Sequence, residues 1–207
     1  MPRRVVVVCG VTGAGKSAVA AALARDCGFA RLSVSSALRD GAAAVYGWER
    51  SLLDGATEAA RDWLERPDAR WSRALCQPGF TPHGAVQQLR AAFPEAVWTQ
   101  AMLAKLDRTP GDVVFADARS AHDIDALVER GAEVWRVTRA GQPPWLLEAA
   151  HRAVLGDGEA KRELDRLLVH EDEYGHLGFA PSVELRNDGT LAELEDAVRR
   201  VVLEKLY

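Results

Sequence analysis

Eight consecutive residues near the amino terminus carry the densest chemistry in the chain: Gly10-Val11-Thr12-Gly13-Ala14-Gly15-Lys16-Ser17. Three glycines let the backbone curl tightly enough for several N–H groups to converge on one anion. Lys16 then offers a mobile point charge to phosphate oxygens, and Ser17 offers a hydroxyl to Mg²⁺. The eight positions satisfy G-x-x-x-x-G-K-[ST], the phosphate-binding P-loop, in full. That pattern requires a strand before it and a helix after it. Val5–Val8 is a β-branched run that reads as a strand buried on both faces, and Ser17–Cys27 reads as a helix capped by Gly28. The helix adds its unpaired amino-terminal amides and positive dipole end to the same anion. A glycine-rich turn with a chance lysine is the plainer alternative, and the strand–loop–helix context argues against it.

A second constellation lies at 113–120, Val-Val-Phe-Ala-Asp-Ala-Arg-Ser. It places Asp117 at the carboxyl end of a predicted strand, Val113–Ala116, with Arg119 two residues on. Next to a P-loop, such an aspartate can hold Mg²⁺ through water or orient an attacking oxygen. Arg119 can make paired hydrogen bonds to a phosphate. The alternative is an aspartate that opens the next helix, paired with a nearby arginine. Phosphoryl transfer needs further cations, because charge spreads over the transferring oxygens. Arg39, Arg90, Arg139, Arg152, Lys161, Arg162 and Arg166 are the candidates. Several of them fall in the charged stretch 139–180, where a mobile lid would close to exclude water. The same stretch also reads as a solvated helix face with i,i+4 pairs, and both readings can hold together.

The elements that must position these groups alternate between strand and helix. Ala30–Val34 reads as a second strand, followed by helices over Ala37–Tyr46 and Gly55–Arg66. Pro67–Pro82 is rich in turn formers and reads as irregular. Helices are expected over Ala85–Phe93 and Ala96–Leu106, split by Pro94, and over Ser120–Arg130, closed by Gly131. Glu133–Thr138 and Ser182–Leu185 read as strands, and Leu191–Leu206 as a closing amphipathic helix. Alternation of this kind predicts an α/β fold with a parallel sheet flanked by helices and ligands at the carboxyl ends of its strands.

Composition sets outer limits. The chain has 207 residues, 48% apolar and 27% charged, and suits one domain with an inserted lid. A net charge of −4 argues against bulk electrostatic binding of nucleic acid and leaves room for a local basic cleft. Cys9, Cys27 and Cys76 lack metal-ligand spacing and read as reduced thiols, which points to a cytoplasmic setting. The start, Met1-Pro2-Arg3-Arg4 and four valines, mimics a signal peptide only briefly. No segment approaches the roughly 18 apolar residues of a membrane span.

Several segments, in order along most of the chain, resemble the deoxynucleoside monophosphate kinases encoded by tailed phages, within the P-loop kinases. Residues 32–48 look like the family's segment after the second strand, a small-residue turn carrying Ser35 and then the pair Leu38-Arg39, where the family has Leu-Lys. Residues 81–89 are similar to a Thr-Pro-Arg helix start with an internal glutamine. Gln87 fits that glutamine, His83 stands where the arginine is usual, and the Gly-Thr that normally follows is missing. The helix containing Trp98 matches a Trp-containing helix of the family. Asp117-Ala118-Arg119, a helix, Gly131, a strand and Arg139 form the clearest match. His170 and Glu173 fit a His-x-x-Glu element, and Asn187 fits an Asn-Asp-Gly turn before the last helix, which in related kinases lies beside the adenine. The chain departs from the pattern by extra residues between Arg139 and His170, which implies a larger lid.

The resemblance implies a single P-loop kinase domain over 1–207, with an acceptor-binding helical region at 32–107 and a lid at 139–180. ATP and Mg²⁺ would be its cofactors. ATP would lie on residues 10–17 with Arg139 and Asn187, and Mg²⁺ on Ser17 and Asp117. Lys16, Asp117 and Arg119 would carry the chemistry, and the acceptor, a deoxynucleoside 5′-monophosphate, would meet Ser35, Arg39, Gln87, Trp98, Arg119, His170 and Glu173. Phe80 and Trp98 are candidates for stacking on the acceptor base, with core packing the plainer role. No strong base is required, because the acceptor oxygen is already anionic. Two rival readings stay open: a P-loop kinase acting on a hydroxymethylated base in phage DNA, with Asp117 as base, and a nucleotide-binding switch module without an acceptor site. Small nucleotides are the expected partners, and a homodimer stays open.

Overall fold

The computed structural model describes residues 3–141 and 143–205. Leu206, the predicted end of the last helix, lies outside them, as do Met1 and Pro2. The described chain divides into two compact units, one made of residues up to Ser33 together with those from Leu106 onward, the other of Val34–Lys105.

The first unit holds a five-stranded parallel sheet with helices packed on it. Its strands are β1 (Val5–Cys9), β2 (Ala30–Leu32), β3 (Val113–Phe115), β4 (Glu133–Thr138) and β5 (Val183–Arg186), in the spatial order β2-β3-β1-β4-β5. Register pairs Val5 with Val113 and Val7 with Phe115 on one side of β1, and Val8 with Trp135 and Cys9 with Arg136 on the other. All five residues of β1 and all three of β3 are buried, which explains their unbroken apolar character. Helix α1 (Lys16–Cys27) follows the first strand, and Gly28, at φ 72°, closes it in the left-handed region. Val19 and Leu23 of α1 pack with Val6, Val8, Val137 and the buried face of the last helix, Leu194, Val198 and Val202.

The second unit is helical: α2 (Ser36–Tyr46), α3 (Arg50–Leu53), α4 (Glu58–Glu65), α5 (Ala69–Ala74), α6 (Pro82–Ala91) and α7 (Glu95–Arg108), the last running on into the first unit. Its centre is aromatic. Tyr46 and Trp48 stack at 4.5 Å, Trp71 meets Tyr46 edge-on at 5.1 Å, and Phe80 packs against both. Residues 67–82 are therefore not simply irregular. Asp68 caps α5 by accepting from the Trp71 amide at 3.0 Å, and its other oxygen accepts from the Trp48 indole at 2.8 Å. Two aromatic anchors and one cap override a stretch of turn-forming composition. Phe80 is a core residue here, 5% exposed.

In the first unit, β3 leads to α8 (Ala121–Val128), which Ser120 caps by accepting from the Asp123 amide. After β4, the charged stretch folds into α9 (Pro144–Val154), α10 (Gly158–Arg166) and two short 3₁₀ turns, Glu171–Glu173 and Gly175–Gly178. Ala149, Ala150, Leu164 and Tyr174 form a small core of their own. The closing helix α11 (Leu191–Glu204) opens on a capping box between Thr190 and Glu193.

Candidate phosphate-binding site

Parallel register brings the ends of β1 and β3 to one edge of the sheet, and both sequence constellations emerge there. The loop after β1 is shaped by contacts that only glycine permits. Gly10 sits at φ 144°, and a Cβ on it would lie 2.3 Å from the Val137 carbonyl oxygen of β4. Gly15 sits at φ 112°, and its Cβ would lie 2.6 Å from Asn187 Nδ2. Gly13 also has positive φ, 80°, with open space around it. The loop is tied from within by Ala14 N donating to Val11 O at 3.1 Å, and α1 begins with Ala18 N and Val19 N donating to Gly15 O.

Asn187 holds the loop from outside. Its side-chain amide donates to Ala14 O at 2.8 Å, while its backbone N–H donates to Thr138 O at 2.8 Å. The side chain thus supports the loop that Gly15 opens. Arg139, exposed at the end of β4, reaches Gly13 O at 3.5 Å.

Lys16 folds back over its own loop. Its ammonium donates to Gly10 O at 2.7 Å and to Val11 O at 2.9 Å. Partial burial lowers its pKa, the Arg119 charge adds to the lowering, and Glu173 opposes it. Glu173 completes the cluster. Its carboxylate accepts from Thr12 N at 2.9 Å and from Thr12 Oγ1 at 2.7 Å, and lies 3.7 Å from an Arg119 guanidinium nitrogen. The Thr12 bonds, Arg119 and Lys16 hold the Glu173 carboxyl below the usual range despite its partial burial. Lys16, Arg119, Thr12 and Glu173 therefore form one electrostatic group. A cleft of about 240 Å³ opens beside it, walled by Leu146, Leu147, Ala150, Val169 and Leu177.

Asp117 stands just past β3, where its carboxylate accepts a hydrogen bond from the Ser33 hydroxyl. Sequence reading passed over Ser33. The signal was in the register: Leu32 of β2 pairs with Phe115 of β3, which carries Ser33 along the same edge toward Asp117. Ser17 and Asp117 offer a hydroxyl and a carboxylate, hard oxygen donors that suit Mg²⁺, an ion that keeps several waters and phosphate oxygens as ligands. Among the described residues, no group of three or more His, Cys, Asp and Glu gathers as an all-protein metal cage.

The remaining candidates have partners of their own. Ser35, Arg39, Gln87 and Trp98 belong to the helical unit. Arg90 donates to the Ser35 hydroxyl at 3.1 Å, and Arg39 pairs with Asp54 at 3.4 Å. His83, in place of the expected arginine, pairs with Glu65 at 2.6 Å, and Gln87 lies 3.3 Å from the other ring nitrogen. Trp98 donates to Arg90 O at 3.2 Å and meets Phe93 edge-on. His170 is exposed and accepts the Glu173 amide on its backbone carbonyl. No helix among the described residues is long and apolar enough to cross a membrane.

No family model and no curated protein matches the chain. Among solved structures, the chain is similar to a gluconokinase from Sinorhizobium meliloti 1021, at 22% identity over 100% of this chain and 96% of that one, with a TM-score of 0.42. It is similar to TT1252 from Thermus thermophilus, at 22% identity over 99% and 98% of the two chains and a TM-score of 0.47. A shikimate kinase from Aquifex aeolicus vf5 is similar at 11% identity over 98% of each chain, with a TM-score of 0.43.

Proposed function

We propose that the chain is a P-loop kinase that transfers the terminal phosphoryl group of ATP to a nucleoside or deoxynucleoside 5′-monophosphate. One observation carries the reading: a complete G-x-x-x-x-G-K-S loop at the carboxyl edge of a parallel sheet, with Asp117 and Arg119 emerging from the neighbouring strand. The choice of acceptor is supported by the ordered resemblance in sequence and by Arg119, a guanidinium placed beside the anion-binding loop rather than within it.

In this reading the loop amides and Lys16 hold the triphosphate, and Lys16 gives up the Gly10 and Val11 carbonyls for phosphate oxygens. Mg²⁺, held by Ser17 and Asp117, would neutralise charge on the phosphates. Arg119 grips the acceptor phosphate, and Ser35, Arg39, Gln87 and Trp98 are assigned to its nucleoside. Positioning and charge neutralisation supply the acceleration, since an anionic phosphate oxygen needs no base to make it a nucleophile.

A coupled ADP-release screen across ribo- and deoxynucleoside monophosphates tests the proposal. Turnover that depends on one or a few monophosphates is expected. Transfer to a hydroxyl acceptor instead, such as a hydroxymethylated base in duplex DNA, or ATP consumption indifferent to every acceptor, would replace it. Within the screen, Arg119→Ala raises KM for the monophosphate more than for ATP; equal effects on both would remove its assignment.

A further inference from the structure

Two donors of the loop already hold an anion. The Thr12 amide and the Thr12 hydroxyl both donate to the Glu173 carboxylate, and Arg119 stands 3.7 Å from the same oxygen that accepts the hydroxyl. These donors belong to the phosphate-binding motif and to its neighbouring cation. A side-chain carboxylate is a modest occupant for them, with two oxygens and one charge against the many oxygens and higher charge of a polyphosphate. The Glu173 side chain is also one-third exposed, so an incoming anion can reach it.

We propose that Glu173 is a built-in competitor for phosphate, a latch whose carboxylate holds the loop's Thr12 contact until a polyphosphate displaces it. The inference rests on the polyphosphate-binding reading of residues 10–17. Its mechanics need only a side-chain rotation. Tyr174, the next residue, is 4% exposed and anchored against Ala149, Ala150 and Leu164. The turn itself is kept by Glu173 N donating to His170 O at 2.9 Å and Tyr174 N to Glu171 O at 3.1 Å. The backbone can stay while the carboxylate leaves. Once released, Glu173 lies near bound phosphate as a like charge, which favours product departure and relatching.

The test is equilibrium binding of inorganic tripolyphosphate and of ATP without Mg²⁺, by calorimetry, to the full chain and to Glu173→Gln and Glu173→Asp. Gln keeps the shape and loses the charge; Asp keeps the charge but is one methylene too short to hold both Thr12 groups. Thermal melting checks that each variant folds. Both variants should bind on the order of tenfold tighter than the unaltered protein, a gain of about 1.4 kcal/mol. Equal or weaker binding by folded variants overturns the latch. Absence of tripolyphosphate and ATP binding in all three proteins overturns the loop reading itself, so the two failures are distinguishable. In the unaltered protein, the carbon-13 shift of the Glu173 side-chain carboxyl should move toward that of free glutamate as tripolyphosphate is added, and a shift that stays fixed also overturns the latch.

Discussion

Alanine at Gly10 should damage the protein far more than alanine at Gly13, although both glycines belong to the same loop and both have positive φ. At Gly10 two penalties combine. Its φ of 144° is a conformation that side chains rarely adopt, and an added Cβ would sit 2.3 Å from the Val137 carbonyl oxygen, a backbone atom that no rotamer change can move. Ordinary contact begins near 3.4 Å, so the loop and β4 must part by about 1 Å, straining the ladder where Cys9 pairs with Arg136. Backbone strain of about 1–3 kcal/mol and overpacking of similar size give a destabilisation of about 4 kcal/mol. For a chain of this length that corresponds to a fall in Tm of roughly 8–16 °C. At Gly13 a Cβ meets nothing within 4 Å, so only the strain remains, about 1–2 kcal/mol. Calorimetric or circular-dichroism melts of the two variants, side by side, measure the difference. Equal Tm values would show that β4 does not shape the loop at Gly10.

Other expected outcomes are as direct. Lys16→Met should lower kcat by on the order of 10²–10³, as for loss of a transition-state donor, while Tm moves by only a few degrees, because the two carbonyl contacts it loses are offset by relief of a partly buried charge. Turnover near normal in that variant would remove the loop from the chemistry. Asn187→Ala takes away the donor to Ala14 O, so stability should fall by about 1 kcal/mol and ATP affinity by several-fold; a melt change without any change in ATP binding would limit Asn187 to folding. His176, 4% exposed, has its pKa pushed down to about 4 by burial, with Arg136 and Lys16 adding repulsion and Glu173 opposing. The unfolded chain takes up this proton near 6.5 and the folded one only near 4, so stability should decline as pH falls through that window, by up to roughly 3 kcal/mol from this group. His176→Gln should flatten the acid limb of a denaturation-versus-pH curve, and an unchanged limb would assign the acid sensitivity to other groups.

What the sequence made legible follows from how local each signal is. The strand, loop and helix around Gly10–Ser17 are coded within about two dozen adjacent residues, and the valine run, the glycines and Gly28 behave as their types require. Pro94, Gly131 and Ser120 likewise set the limits of neighbouring helices by local chemistry. Helix α5 was hidden because its determinants are tertiary: Asp68 caps it while also receiving the Trp48 indole from twenty residues earlier. Helix α10 falls where the charge pattern reads as a helix face, whereas α9 was hidden because its buried face is narrow, only Ala149 and Ala150 within Pro144–Val154. Glu173 was legible as a candidate and its contact was not. Nothing in spacing can announce that a carboxylate 161 residues away will accept the Thr12 amide.

Under the proposed function, the loop's neighbours give a physical reason for the site to take an anion without large rearrangement. An isolated stretch of three glycines has many conformations, and ordering it around an anion would draw heavily on the binding energy. Here the ordering is done during folding. The Val137 carbonyl leaves no room for a side chain at Gly10, Asn187 fills the space at Gly15 and ties Ala14, and α1 fixes the loop's exit through Gly15 O. Lys16 is kept nearby on the loop's own carbonyls and Thr12 on Glu173, so under the proposed function these groups would exchange partners instead of being ordered from solvent. Exchange of one anion for another, and of carbonyls for phosphate oxygens, carries little conformational entropy. The net affinity is then set by the difference between the incoming and outgoing partners, which is why single changes at Glu173 and Asn187 should alter binding in opposite directions.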